Sequence, residues 1–209
     1  MASSPDSSES TRLILASASP RRAELLREAG YRFAVDPAEI DESFPTGMMP
    51  SDVARHLAEQ KAKVIAARHP DKVVLGADTV VAFGDKILGK PADEKDAREM
   101  LKLLSGTTHL VITGVCVIHL EEGFQRLARV MSAVRMRLLS SREIDRYVES
   151  GEWLGKAGGY GIQDADKFPS EASNAAAFVT RQAGSRSNIV GLPMTLTKQL
   201  LAEAGIRPG

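Results

Sequence analysis

The chain has one cysteine in 209 residues, one tryptophan, 5% aromatic residues and no surplus of charge, Lys+Arg and Asp+Glu each numbering 27. Each shortage excludes something. The lone Cys116 cannot make an intrachain disulfide, and its place in the apolar run Val115-Cys116-Val117-Ile118 reads as strand packing, so a reducing, cytoplasmic compartment fits best. Balanced charge leaves no basic excess to neutralise a run of duplex phosphates, so no nucleic-acid partner is expected. No apolar stretch approaches the roughly 20 residues of a membrane span, and no membrane partner is expected either. Residues 1–10 lack both a basic and an apolar segment and read as a disordered tail.

What is present is a globular composition, 43% hydrophobic and 26% charged, enough for one domain over residues 11–209. Residues 13–16 read as a buried strand leading into a helix that Ser19 caps and Pro20 opens, with Gly30 as its stop. A second strand is expected at 31–35. A long helix capped by Ser51 or Asp52 should place Val53, Leu57, Val64 and Ile65 on one face, charges on the other, and end near His69-Pro70. Residues 73–77 read as a strand ending at Asp78-Thr79, followed by short strands at 80–83 and 87–88 about the turn Gly84-Asp85-Lys86. Asp93 should cap a helix closed by Gly106. Residues 107–120 and 124–138 read as a long hairpin about Glu121-Glu122-Gly123. Ser140-x-x-Glu143 is a capping box, and a glycine-rich stretch at 151–161, a strand at 177–181 and a final helix at 193–204 complete the chain. Strands mixed with helices, without repeats, imply an α/β fold with a mixed sheet.

Four segments carry residues suited to chemistry. Ser17-x-Ser19-Pro20-Arg21-Arg22 lies where a strand turns into a helix, so backbone N–H groups and two guanidiniums face one anion site; the alternative is a capped surface helix with two solvated arginines. Asp78, at the expected end of its strand, suits a proton acceptor or a Mg²⁺ ligand, with Glu42 as second oxygen donor; the alternative is a turn cap beside a solvated glutamate. Gly84-x-x-x-x-Gly89-Lys90 imitates a P-loop, but Pro91 stands in the Ser/Thr position and a hairpin turn precedes it, so it is read as a decoy whose Lys90 offers a point charge to phosphate. Lys156-Ala-Gly158-Gly159-Tyr160-Gly161-Ile162-Gln163 combines glycines that admit close backbone approach with an amide able to read a base edge; the alternative is a flexible surface loop. The four histidines and Trp153 show no ligand spacing and receive no role. Arg21, Arg22, Lys61 and Lys90 are four cations for a triphosphate of about four negative charges.

In this order the segments resemble the Maf family of nucleotide pyrophosphatases over residues 12–205. The carriers are Leu15-Ala-Ser17-x-Ser19-Pro20-Arg21-Arg22, Ile40-Asp41-Glu42, Leu57-Ala58-x-x-Lys61-Ala62, Gly76-Ala77-Asp78-Thr79, Gly89-Lys90-Pro91, the 156–163 stretch and Ser187-Asn188-x-Val190-Gly191-Leu192-Pro193. The resemblance implies an elongated, two-lobed fold related to inosine-triphosphate pyrophosphatases, with a nucleoside triphosphate in the cleft between lobes. It also implies a divalent metal cation, Mg²⁺ or Mn²⁺. Asp78 becomes the proton acceptor of a catalytic set with Glu42, Lys61 and Lys90, with Glu42 and Asp78 at the metal. Ser17, Ser19, Arg21, Arg22, Thr79, Lys156 and Gln163 face the substrate, and Arg22, Thr79 and Gln163 match the positions associated with substrate choice in the branch acting on dTTP and UTP. The alternatives are a branch hydrolysing 7-methyl-GTP or another modified nucleotide, and a non-catalytic nucleotide-binding regulator of cell division. Residues 164–177 are longer than that family's usual segment and lack its glycine pair, which bears on fine specificity. A homodimer is the commonest assembly of soluble proteins, but no residue pattern here marks an interface.

Overall fold

The computed structural model describes residues 11–162 and 178–209; the expected tail at 1–10, Gln163 and the long segment after it lie outside these. The elements run β1 (Leu13–Leu15), α1 (Pro20–Glu28), β2 (Ala34–Val35), α2 (Pro50–Arg68), β3 (Val73–Phe83), β4 (Lys86–Leu88), α3 (Glu94–Leu104), β5 (Thr108–His119), β6 (Phe124–Met136), α4 (Ser141–Glu149), β7 (Val179–Ala183), α5 (Arg186–Val190) and α6 (Met194–Glu203). One seven-stranded mixed sheet results, ordered β2-β1-β3-β5-β6-β7, with β4 also on β3. Strands β2 and β3 run parallel to β1, while β4, β5, β6 and β7 are joined by antiparallel pairing.

Alternation along β1, β3 and β5 sorts the core. Leu13, Leu15, Leu75, Ala77, Val115 and Val117 face α1 and α6, while Ile14, Val74, Cys116 and Ile118 face α2. A further core, with Leu101, Leu104, Tyr147 and Trp153, gathers α3 and α4 at the other end of the sheet.

Helix α2 is the element that matters most for the site. It lies directly on the backbone of β3 and β5, because a Cβ built on Gly76 would fall 2.8 Å from the Ala62 Cβ and nearer still to the Ala58 carbonyl. One built on Gly114 would stand 2.5 Å from the Ala54 carbonyl carbon and 2.8 Å from the Arg55 nitrogen. Glycine inside a strand here removes the side chain that would hold the helix away.

Several sequence expectations are corrected. The 73–77 and 80–83 strands are one strand, β3, so Asp78 and Thr79 sit mid-strand and not at its end. Helix α2 begins one turn earlier than a polar cap would place it: Met49 is the N-cap without a side-chain bond and Pro50 starts the helix, its fixed φ suiting the first position. Lys61 lies on the buried face of α2, while Val64 is only partly buried. The strand expected at 31–35 pairs only at Ala34–Val35, Tyr31 turning into the core beside Leu26. Ser19 is an N-cap by position but makes no side-chain cap bond. The strand expected at 177–181 pairs over Val179–Ala183, and α5 was not anticipated. Asp93, the Ser140/Glu143 capping box, the β5–β6 hairpin and the helix stop at Gly205 stand as expected.

Gly114→Ala should lower stability by about 1–3 kcal/mol, the usual cost of forcing extra volume into a packed core. Urea denaturation reads the loss directly, and wild-type stability in this variant would show that α2 does not depend on that contact.

Candidate active site

Strand β1 pairs with β3 only at Leu13, Ile14 and Leu15, and β4 rejoins β3 only from Val81 onward. Between them, among the described residues, the edge of β3 carrying Asp78 and Thr79 has no strand beside it. A cleft of about 570 Å³ opens there, at the carboxyl end of β1. Asp78 was therefore misplaced along its own strand, yet it lies where ligand crevices form, because the short neighbour ends. Ten of the eleven expected site residues line this cleft: Ser17, Ser19, Arg21, Arg22, Glu42, Lys61, Asp78, Thr79, Lys90 and Lys156. The eleventh, Gln163, lies outside the described residues.

Asp78 and Thr79 are neighbours in sequence but, by the pleat, project to opposite faces of the sheet. On the α2 face, Lys61 Nζ donates to Asp78 Oδ1 at 2.6 Å and pairs with Glu42 Oε1 at 2.7 Å. Lys61 is 7% exposed and Asp78 8%. Lys90 approaches the other oxygen of Glu42 at 3.9 Å. Burial works to raise the Glu42 pKa, but the hydrogen bond and charge of Lys61, helped by Lys90 and Arg22, hold it below the ordinary carboxylate range.

On the other face, Arg22 is braced by three acceptors: Nε donates to the Gly191 carbonyl at 2.8 Å, Nη1 to Ser17 Oγ at 2.9 Å and Nη2 to Thr79 Oγ1 at 3.1 Å. Guanidinium has five N–H donors, so two remain for a ligand. Burial lowers the Arg22 pKa from its very high ordinary value; Asp78 acts against that, and the group stays charged. The first turn of α1 adds backbone N–H groups at the same place.

The remaining wall is built by loops that glycines bring together. The Gly158 N–H donates to the Gly89 carbonyl at 2.9 Å, tying the Lys156 loop to the Lys90 loop, and Gly158 has φ 70° above the Val81 side chain. Gly84 is the turn between β3 and β4, which removes the P-loop reading. Arg21 Nη2 reaches the Gly155 carbonyl at 3.3 Å, joining α1 to the same loop.

Among the described residues, five cationic side chains and two carboxylates line the cleft, a local net of three positive charges on a chain with none overall. That field suits a small polyanion. Among the described residues no three His, Cys, Asp or Glu side chains cluster as a metal cage. Asp78 and Glu42 do converge on a single cation, the Lys61 ammonium, and their oxygens are the hard donors that Mg²⁺ or Mn²⁺ takes together with phosphate.

Three further residues contribute for which the sequence indicated no role. Gly191, the C-cap of α5 at φ 124°, supplies the carbonyl that braces Arg22. Thr113 on β5 is bonded to Thr79. His109, 2% exposed, bonds Tyr160 of the cleft wall, and burial lowers its pKa to about 4. Only the isolated Gly114 within an apolar strand signalled the close packing nearby.

A family model described as Maf-like protein matches residues 12–204. The dTTP/UTP pyrophosphatase of Sphingopyxis alaskensis is 48% identical over 198 residues, covering 94% of this chain and 98% of that protein. The dTTP/UTP pyrophosphatase of Paramagnetospirillum magneticum is 47% identical over 197 residues, with 94% and 98% covered. That of Caulobacter vibrioides is 46% identical over 197 residues, with 94% and 97% covered. No helix among the described residues is long and apolar enough to cross a membrane.

Lys61→Met should cost about 3–5 kcal/mol, because it leaves the buried Asp78 carboxylate without its cation. Glu42 should titrate higher in this variant, burial then being unopposed by the lysine. In the wild type its depressed pKa contributes stability above the unfolded value, lost as pH falls through the folded one; removal of Lys61 should shrink that acid-side loss. Denaturation series between about pH 3 and 7 test both, and an unchanged profile would remove Lys61 from its pairing role.

Proposed function

The chain belongs to the Maf family, and on that premise we propose that it hydrolyses nucleoside triphosphates, dTTP and UTP foremost, to the monophosphate and pyrophosphate. The observation that carries the reading is the pairing of a buried carboxylate, Asp78, with a net positive cleft. A P-loop hydrolase would need a glycine loop opening a helix, and here Gly84 sits in the β3–β4 turn and Gly89 follows β4.

In this mechanism Asp78 takes the proton of a water aligned on the α-phosphorus, and Lys61 holds that carboxylate in orientation. Arg21, Arg22, Lys90 and Lys156, with the N–H groups of α1, hold the β- and γ-phosphates and stabilise the charge that grows on the departing pyrophosphate. Asp78 and Glu42 would hold a divalent cation, which supplies charge neutralisation at the phosphate oxygens when bound. Catalysis is then positioning and electrostatics, with no covalent step on the protein. Base choice follows from Thr79 and Gln163, a hydroxyl and an amide offered to the O4 and N3–H edge of thymine or uracil. The chemistry of this site suits a cytoplasmic enzyme of nucleotide housekeeping that turns its ligand over, because two carboxylates beside a triphosphate would weaken the binding of a passive sensor unless a metal bridged them.

Incubation with Mg²⁺ and a panel of canonical and 7-methylated triphosphates, resolved by chromatography, should give NMP and pyrophosphate with the highest kcat/KM for dTTP and UTP. A purine or 7-methyl-GTP ahead of both would overturn the assignment of substrate. Asp78→Asn should reduce kcat by roughly 10²–10⁴, the scale of a lost general base, while circular dichroism shows an intact fold. A variant turning over at near the wild-type rate would sink the role given to Asp78.

A further inference from the structure

Thr113 is fully buried in β5, directly across from Thr79 in the antiparallel register, on the strand face it shares with Val111 and Val115. A hydroxyl there is costly unless bonded, and valine would fill the same volume without that cost. Its bonds explain its presence. Thr113 Oγ1 donates to the Asn188 carbonyl at 3.1 Å and lies 3.0 Å from Thr79 Oγ1. Asn188 is itself fixed, its amide donating to the Val111 carbonyl at 3.0 Å and to Ser132 Oγ at 2.9 Å.

The distances favour one direction along this chain. With the one hydrogen of Thr113 on the Asn188 carbonyl, which also takes the Gly191 N–H at 3.0 Å, the donor between the two threonines is Thr79. The other acceptor within reach of Thr79, the Gly191 carbonyl, is at 3.5 Å and already takes the Arg22 Nε–H at 2.8 Å. Arg22 Nη2 in turn donates to Thr79 Oγ1. A hydroxyl has one hydrogen and two lone pairs; the hydrogen and one lone pair of Thr79 are thereby committed. What remains to face the cleft is one lone pair, an acceptor.

We propose that Thr113, which touches no substrate, is a specificity-positioning residue: by taking the Thr79 hydrogen it makes Thr79 a pure acceptor toward the cleft. Such a group favours a base edge bearing an N–H, as N3 of uracil and thymine does, over cytosine, whose N3 is itself an acceptor. The inference rests on the pyrimidine reading above and refines it, because it assigns Thr79 to N3–H and leaves O4 to a donor from elsewhere. Without Thr113 the Thr79 hydroxyl is free to turn and donate.

The test compares kcat/KM for UTP and CTP in the wild type, Thr113→Val and Thr113→Ser. In the valine variant the UTP:CTP ratio should fall at least tenfold, on the scale of discrimination by a single directed hydrogen bond, and the serine variant should keep it within about twofold. A valine variant that loses the same factor for both substrates shows a merely structural role and overturns the inference. If that variant does not fold, the wild type still decides with 3-deaza-UTP, which has a C–H at position 3: turnover should drop at least tenfold against UTP, and equal turnover refutes the acceptor assignment. Hydrolysis of neither UTP nor dTTP by the wild type would bring down the pyrimidine reading itself, and this inference with it; hydrolysis with an unmoved ratio brings down this inference alone.

Discussion

The ammonium of Lys61, held between Asp78 and Glu42 below the surface of the cleft, is the interaction on which the site depends. Two ions removed from water forfeit several kcal/mol of hydration each, and their attraction offsets this only where geometry is tight. Here the geometry comes from backbone contact: α2 lies on Gly76 and Gly114 with no side chain between, so Lys61 needs little reach to meet a strand residue. As a device for stability the arrangement is poor, since apolar residues of the same size would serve as well. As a way to hold a carboxylate aimed into a partly desolvated cleft it has a purpose, and the proposed hydrolysis requires that carboxylate.

The sheet pleat then separates two tasks. Asp78 projects toward α2, where the charges gather; Thr79 projects toward α1 and α5, where Arg22, Thr113 and Gly191 form a mostly neutral network around one guanidinium. Both are reachable from one cleft because β1 stops at Leu15 and β4 begins pairing only at Val81. The gap in the strand order, more than any single loop, makes room for a ligand over the edge of β3. On the proposed reading, chemistry on one face and recognition on the other can then vary independently.

Much of this was legible in the sequence because local rules agree with the fold. The Ser140/Glu143 capping box, the Asp93 cap and the glycine stops act within one or two turns, and each is found where it was expected. The site residues were legible for a different reason: their order along the chain matches a family pattern, and the fold brings ten of them to one cleft. What failed was set by tertiary contact. Asp78 belongs to a continuous strand because β5 pairs with it on both sides of that position, over residues 74–82. Lys61 lies on the buried face of a helix whose charges were expected on the other face, since only contact with β3 draws its ammonium inward. Thr113 carries no spacing signal, being joined to Asn188 across 75 residues by folding alone.

The central claim is that water, activated at Asp78, attacks the α-phosphorus. Hydrolysis of UTP or dTTP in ¹⁸O-water, followed by mass spectrometry of both products, tests it most directly. The account predicts one ¹⁸O in the phosphate of the nucleoside monophosphate and none in pyrophosphate. Label in the pyrophosphate, or nucleoside diphosphate with labelled inorganic phosphate, would place the attack at the β- or γ-phosphorus and contradict the assignment of the site.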